Sequence, residues 1–353
     1  MEFILNGQAQ GAVATTLLNN GFDVSALRPW VGKDGRSYIA RNQGGKLIAV
    51  PTQNATATLR KEEWKVLDDA IVIAAKERLR VVADLRGRGL TYNIPNGMGK
   101  TVLETESMSD ITRAVISMDP ARESEGDRPE FDLTSLPLPV IHKDFYFNAR
   151  QVATSRNSGA GIDTTTAQLA ARRVAEEAEK LTLGVLPAFG YGGGTIYGLT
   201  NFPSRVTSTD LTAPTASGWT PQTTIQELLA MRQASEDNHH YGPWSLYTSP
   251  AWDQYLDDDY STLKGDITLR QRVTAINGIG AVTTLDYLTG FQMILVQMTS
   301  DVIRMVIGMD VTTVQWETHG GMRLNFKVMA IMVPQLRADF NGQTGIIHGN
   351  TAA

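Results

Sequence analysis

A long ribbon with no core of its own constrains this chain more than any other feature. Residues 81–94 read VVADLRGRGLTYNI, residues 95–99 read PNGMG, and residues 100–107 read KTVLETES. On the first arm Val81, Ala83 and Leu85 alternate with Val82, Asp84 and Arg86, the period of a strand. Asn96-Gly97 is a strong turn signal. The pattern predicts a long hairpin with charge on both arms: Arg80, Asp84, Arg86 and Arg88 going out, Lys100, Glu104 and Glu106 coming back. A two-stranded ribbon alone in water is marginal. A chain that keeps one is expected to lay it on a neighbouring subunit. Arg86, Arg88, Lys100, Glu104 and Glu106 are therefore the candidate inter-subunit contacts, and assembly is the expected task.

Composition permits a sizeable core. The 353 residues are 42% hydrophobic and 20% charged, two or three domains' worth of ordinary globular sequence. A formal net charge of -5 argues against a general nucleic-acid binder, which needs a basic face. It is compatible with enclosing nucleic acid without gripping it. With no cysteine, disulfides, thiolate metal sites and cysteine nucleophiles are excluded. No apolar run reaches the roughly 18 residues of a membrane helix, and the start lacks the pattern of a secretion signal. No membrane association and a cytoplasmic origin are expected.

Along the chain, residues 1–60 read as an extended arm with a short helix near 12–19, and Trp30, Tyr38, Leu47 and Ile48 need burial. Trp64, Leu67, Ile71, Ala74 and Arg78 follow helical spacing over 59–79, with Thr58 as a cap. ITRAVISM at 111–118 reads as a strand, and residues 131–150 as extended chain, since Pro137 and Pro139 oppose a helix. A long helix is expected over 164–183, with Asp163 as N-cap, a Thr165–Gln168 capping box, a stripe of Ala167, Ala170, Val174, Ala178 and Leu181, and Gly184 as its stop. Arg172–Glu176, Arg173–Glu177 and Glu176–Lys180 form opposite-charge i,i+4 pairs. A helix opens at Thr220-Pro221, WSLYTSP reads as a core strand, WDQYLDDDYS as a short helix or turn, and TLRQRVTAI as a helix. The last third is dense in strands, with a hairpin turn at His319-Gly320-Gly321. Helices and antiparallel strands without sustained βαβ alternation make an α+β chain.

The motifs that look chemical are weak. Gly99-Lys100-Thr101 ends like a phosphate-binding loop, but Ile94 stands where the first glycine is needed and a strand follows where a helix is needed. GYGGGT at 190–195 is not the dinucleotide fingerprint and reads as a tight connection. His239-His240 and Asp257-Asp258-Asp259 fit no metal-ligand spacing, and His142 lies in an alternating strand. There is no GxSxG elbow. No catalytic residue, cofactor or metal is expected. A carboxylate pair among the 37 acidic residues is the route by which the chain would instead be a soluble hydrolase.

The order of parts resembles the major capsid protein of tailed bacteriophages, the Hong Kong 97 fold, shared with encapsulin shells. TTTAQLAARRVAEEAEKLTLG at 164–184 looks like the spine helix, and IYGLTNFP at 196–203 like the segment that follows it. GMDVTTVQWE at 308–317 and MRLNFKVMAIMVPQLRADFNGQTG at 322–345 look like the closing strands of the peripheral domain. The resemblance implies an N-terminal arm at 1–60, a helix and extended loop at 61–118, a peripheral domain at 119–205 and 311–353, and an axial domain at 206–310. It further implies an icosahedral head built from pentamers and hexamers of the chain itself, assembled in the host cytoplasm around double-stranded DNA that is not bound sequence-specifically. Scaffolding, portal and decoration proteins are the further partners it implies. No helical segment precedes the arm, so a fused scaffolding domain is not expected. An encapsulin-type compartment around a cargo protein is the alternative.

Overall fold

The computed structural model describes residues 28–43, 46–51, 59–109, 130–157, 164–261 and 267–351, with scattered positions between 110 and 129. In chain order, β1 (Trp30–Val31), β2 (Ser37–Gln43) and β3 (Lys46–Pro51) precede α1 (Lys61–Lys76), α2 (Arg80–Gly87), β4 (Thr91–Asn93), β5 (Val102–Met108), β6 (Phe131–Pro137) and β7 (Ile141–Asn148). Then come α3 (Ala149–Asn157), α4 (Thr165–Leu183), β8 (Phe189–Tyr191), β9 (Gly194–Ile196), β10 (Val206–Leu211), α5 (Pro221–Asp237) and β11 (Trp244–Thr248). The rest are α6 (Asp253–Leu256), α7 (Leu269–Thr274), β12 (Ile279–Thr284), β13 (Gln292–Gln297), β14 (Ile303–Thr318), β15 (Arg323–Leu336) and β16 (Ile346–Thr351).

These elements divide into two compact units. The first takes the chain up to Thr101 with Leu138–Leu186 and Arg304–Pro334; the second takes Val102–Pro137, Pro187–Ile303 and Gln335 onward.

In the first unit a four-stranded sheet runs in the order β4-β14-β15-β7. β14 and β15 meet at His319, Gly320 and Gly321, all with positive φ, so the expected hairpin turn is present. The long helix α4 packs on α1 and β7. It can lie close because the residues it buries are mostly small: Ala167, Ala170, Ala171, Ala175 and Ala178 beside Val174 and Leu181. Its end is set by Gly184, left-handed at φ 80°, whose N–H reaches back to the carbonyls of Lys180 and Leu181. Phe326 of β15 stacks on Phe145 at 5.1 Å and meets Trp64 of α1 edge-on at 5.9 Å. Trp64 in turn carries Arg28 over its ring at 4.4 Å, and Arg28 pairs with Asp68 at 2.5 Å.

In the second unit a mixed five-stranded sheet runs β10-β16-β13-β11-β12. β11 is buried at every position, as WSLYTSP suggested. Thr220 caps α5 by accepting from the Thr223 N–H at 3.2 Å, with Pro221 opening the helix. Leu228 and Met231 of α5, Trp244 and Leu246 of β11, Trp252 and Ile347 share one apolar cluster. WDQYLDDDYS and TLRQRVTAI give α6 and α7 as expected, α7 with a Thr268–Gln271 capping box.

Several expectations are corrected. The outgoing arm of the hairpin is not a strand. Residues 80–87 form helix α2, and Val81, Val82 and Leu85 are fully buried in it. Val81, Val82 and Leu85 stand at i, i+1 and i+4, which suits one face of a helix as well as the period of two suits a strand. The return arm β5 pairs instead with β6. Within the stretch expected as extended arm, β1, β2 and β3 pair into a three-stranded antiparallel sheet in which Trp30 stacks on Tyr38 at 6.3 Å. Thr164, not Asp163, holds the capping position of α4 and makes no side-chain cap bond. Of its expected charge pairs Arg172–Glu176 forms, at 2.7 Å, while Arg173 joins the same buried Glu176 at 2.8 Å and Lys180 pairs with Glu177 at 2.8 Å. His239 and His240 lie beyond the end of α5, with His239 left-handed at φ 63°. The helix at 12–19, the Thr58 cap, Asp163 and most of the strand at 111–118 lie outside the described residues.

Candidate assembly site

The ribbon without a core exists, displaced along the sequence. β5 and β6 form a two-stranded antiparallel sheet from Val102↔Pro137 to Met108↔Phe131. Alternation puts Val102, Glu104, Glu106 and Met108 on one face, opposite Pro137, Ser135, Leu133 and Phe131. Only the root is covered, by Leu103 and Leu136 on the other face. At the far end Met108, Phe131 and Leu133 are 57%, 65% and 56% exposed. Glu104 faces Ser135 and Glu106 faces Leu133, so neither carboxylate has a cation directly across the ribbon. The result is an acidic and apolar strip with nothing to bury against among the described residues.

The glycine-rich segment supports the root of this ribbon. β8 and β9 form a hairpin whose two turn residues, Gly192 and Gly193, have φ 60° and 78°, the signature of a primed turn. Gly194 lies against the ribbon: a Cβ there would collide with the Ser135 carbonyl. Gly194→Ala is therefore expected to cost roughly 1–3 kcal/mol through overpacking, and to lower the thermal midpoint measurably. Gly193→Ala meets nothing within 4 Å and carries only the left-handed strain, roughly 1–2 kcal/mol. A melt in which Gly194→Ala matches the parent would show that the two hairpins separate freely.

The candidate contacts divide accordingly. Glu104 and Glu106 lie on the ribbon and are exposed. Lys100 is exposed just before it, with extended backbone after the single turn Gly97–Gly99. A strand follows it, so no helix N-terminus faces a phosphate there. Arg86 and Arg88 lie on and just after α2, where Arg86 pairs with Asp310 and Arg88 with Asp84 at 2.9 Å. Asp310 is 224 positions away in sequence, so no local signal announced that pair.

Two buried ionisable groups went unnoticed in the sequence. Glu179 of α4 is 2% exposed, and its Oε1 accepts from the Val81 N–H at 2.7 Å. Burial pushes it up to about 7 against the opposing pull of the backbone donors of Val81, Val82 and Arg80. His348 of β16 is 8% exposed, between Arg205 Nε, 3.4 Å from Nδ1, and Gln292 Oε1, 3.4 Å from Nε2. Burial and then the Arg205 charge push it down to about 4. The folded state thus binds this proton less readily than the unfolded chain. Stability from His348 is present above about 6.5 and is lost as the pH falls through 4. The chain is expected to lose on the order of 2 kcal/mol from this group between pH 7 and pH 4.5, discounted for partial exposure. Denaturant midpoints at both pH values check it: His348→Gln should flatten the loss, and an unchanged loss would remove His348 as its source.

Among the described residues no cluster of three or more His, Asp or Glu could hold a metal, and no helix is long and apolar enough to cross a membrane. Asp257 is taken by Arg270 at 2.6 Å, and His142 stands 3.9 Å from Asp144 on the exposed face of β7.

A family model matches residues 54–349, covering both units. The chain belongs to the family of unknown function DUF6260. Its fold is the Hong Kong 97 type. The virus-like particle of Pyrococcus furiosus aligns with a TM-score of 0.58 at 15% identity, over 82% of this chain and 99% of that one. The capsid of Myoviridae phage XM1 aligns with a TM-score of 0.59 at 8% identity, over 76% and 91%. The capsid of a native GTA particle aligns with a TM-score of 0.53 at 13% identity, over 88% and 97%. The type 1 encapsulin shell protein EncA of Myxococcus xanthus (strain DK1622) is 23% identical over 202 residues, 56% of this DUF6260 chain. The match spans 63% of that relative's length.

Proposed function

We propose that this chain is a shell subunit, the major capsid protein of a tailed bacteriophage, which closes into an icosahedral head around double-stranded DNA. The β5–β6 ribbon carries the reading. It is an apolar and acidic strip that the other described residues leave exposed, on a fold shared with a virus-like particle and phage capsids. Its burial on a second copy would gain roughly 1–2 kcal/mol for each of Met108, Phe131 and Leu133, which are a little over half exposed. Closed symmetry turns modest pairwise terms into a stable particle. On this reading the first unit serves as peripheral domain, the second as axial domain with the extended loop, and Lys100, Glu104 and Glu106 are inter-subunit contacts. The subunit acts without catalysis, partners itself in pentamers and hexamers, and resides in the virion after assembly in the host cytoplasm. The net charge of -5 suits a wall that does not hold its DNA tightly.

The likeness to EncA favours one other reading, a compartment enclosing a cargo protein. Light scattering and negative-stain imaging of the purified chain test the shell, and a stable monomer across concentration and ionic strength overturns it. Absorbance at two wavelengths and gel analysis of the particles separate the readings: nucleic acid inside supports the capsid, a co-purifying protein the compartment.

A further inference from the structure

Helix α2 is capped by a residue of another helix. Its own capping position, Leu79, provides no side-chain bond. Glu179, 98 positions away on α4, takes that place: Oε1 accepts from the Val81 N–H, while Oε2 is buried with no hydrogen-bond partner among the described residues. After α2 the chain turns at Gly89, left-handed at φ 74°, and passes through β4 directly into β5. The first turn of the helix that leads toward the ribbon is therefore held by a carboxylate of α4.

We propose that Glu179 is a proton-operated latch between α4 and α2, closed when its carboxyl is neutral and loosened when it ionises. The reason is geometric. An ionised carboxylate needs all its lone pairs solvated or bonded, and here Oε2 is buried without a partner among the described residues; this burial outweighs the Val81, Val82 and Arg80 N–H groups, which favour the charged form. The neutral acid keeps the Val81 bond and places no charge in the interior. Few other charges compete. Arg80, at the start of α2, is the one that acts on Glu179. Arg78 is directed at Glu176, 3.9 Å away, and Glu176 is also held by Arg172 and Arg173. Lys180 pairs with Glu177, and Arg86 at the other end of α2 pairs with Asp310. The buried side chains of α1 and β7, which pack on α4, are not ionisable: Trp64, Leu67, Ala70, Ile71, Ala75, Phe145 and Phe147.

The sign follows from linkage. With the folded value raised to about 7 from 4.5, the closed state binds the proton more readily than the opened one. The latch is firm below about 4.5 and weakens as the pH rises toward 7. Beyond the intrinsic change in exchange chemistry, protection of the α2 amides should fall about tenfold between pH 6 and pH 8.

Hydrogen exchange with mass spectrometry on the full chain tests this, with α1 as internal reference because it packs on the same helix without bonding to Glu179. In the parent, α2 should lose protection relative to α1 as the pH rises. Glu179→Gln keeps an acceptor and carries no charge, so its α2 protection should be equal at both pH values and near the parent's at pH 6. Glu179→Ala should be poorly protected at both. A parent in which α2 follows α1, or a Glu179→Gln protein with the parent's pH profile, overturns the proposal. If Glu179→Gln does not fold, the comparison of α2 with α1 in the parent decides it alone.

Discussion

Val174→Asp is expected to leave no soluble folded protein. Val174 is 1% exposed in the middle of α4, between the small residues Ala170, Ala171, Ala175 and Ala178 that let α1 and β7 come close. An aspartate there has no room to turn toward water. A buried, unpaired carboxylate costs several kcal/mol even after its ionisation is suppressed, roughly 3–5 kcal/mol by analogy with broken buried pairs. Whole domains are stable by only about 5–15 kcal/mol, so one such site removes much of the margin. Val174→Ala is the control, since it opens a small cavity at a cost of roughly 1–3 kcal/mol. Soluble yield of the three proteins, with circular dichroism on what survives, reads the result. A folded Val174→Asp chain would mean that α4 does not form the centre of its unit.

Excising the ribbon should do the opposite, leaving a folded subunit that no longer assembles. Replacing residues 104–134 by a short Gly-Ser turn keeps Leu103, Ser135, Leu136 and Pro137, and with them the covered root. Met108, Phe131 and Leu133, the large apolar side chains removed from the two strands, are mostly exposed already, so little stability is lost; the bond from Gln335 Nε2 to Thr105 Oγ1 at 3.3 Å goes with them. Sedimentation velocity should then show subunits in place of particles, while the melting curve stays close to the parent's. Excising 84–104 should fail differently, because it takes out the buried Leu85 and Ile94 and the Arg86–Asp310 pair. That chain should not fold. Particles of normal size from the 104–134 excision would make the ribbon ornamental and sink the assembly reading.

The sequence made the helices α1, α4 and α5 legible because each runs over sixteen residues or more with an unbroken 3.6-residue stripe. It made β11 and the turn at His319 legible because a continuous apolar run and a Gly-Gly pair have few other uses. α2 was misread because eight residues are too few for the two periods to separate: Val81 and Leu85 fit both, and only the tertiary burial of Val82 chose the helix. The ribbon was half found. β5 carries acidic residues and alternation that mark it as exposed strand, but its partner β6 begins 23 residues beyond its end, a separation local signals do not span. Glu179 and His348 look like any other Glu and His, since what makes them unusual is the absence of water around them.

The place of β16 has a consequence for how the chain is made. Residues 346–351 lie between β10 and β13, parallel to the first and antiparallel to the second. The inner sheet of the second unit thus stays open until nearly the last described residue has been synthesised. The first unit likewise waits for β14 and β15, more than 200 residues after α2. Neither unit can close as a nascent chain emerges, and such long-range pairing folds slowly. A ribosome that stops before Arg323 would release a chain without β15 and β16, with two unfinished sheets' worth of unpaired edge, fit for degradation and unfit for copolymerising with copies that carry them. The topology makes these late strands a condition of folding, so that only chains carrying β14, β15 and β16 reach the pool from which anything is built.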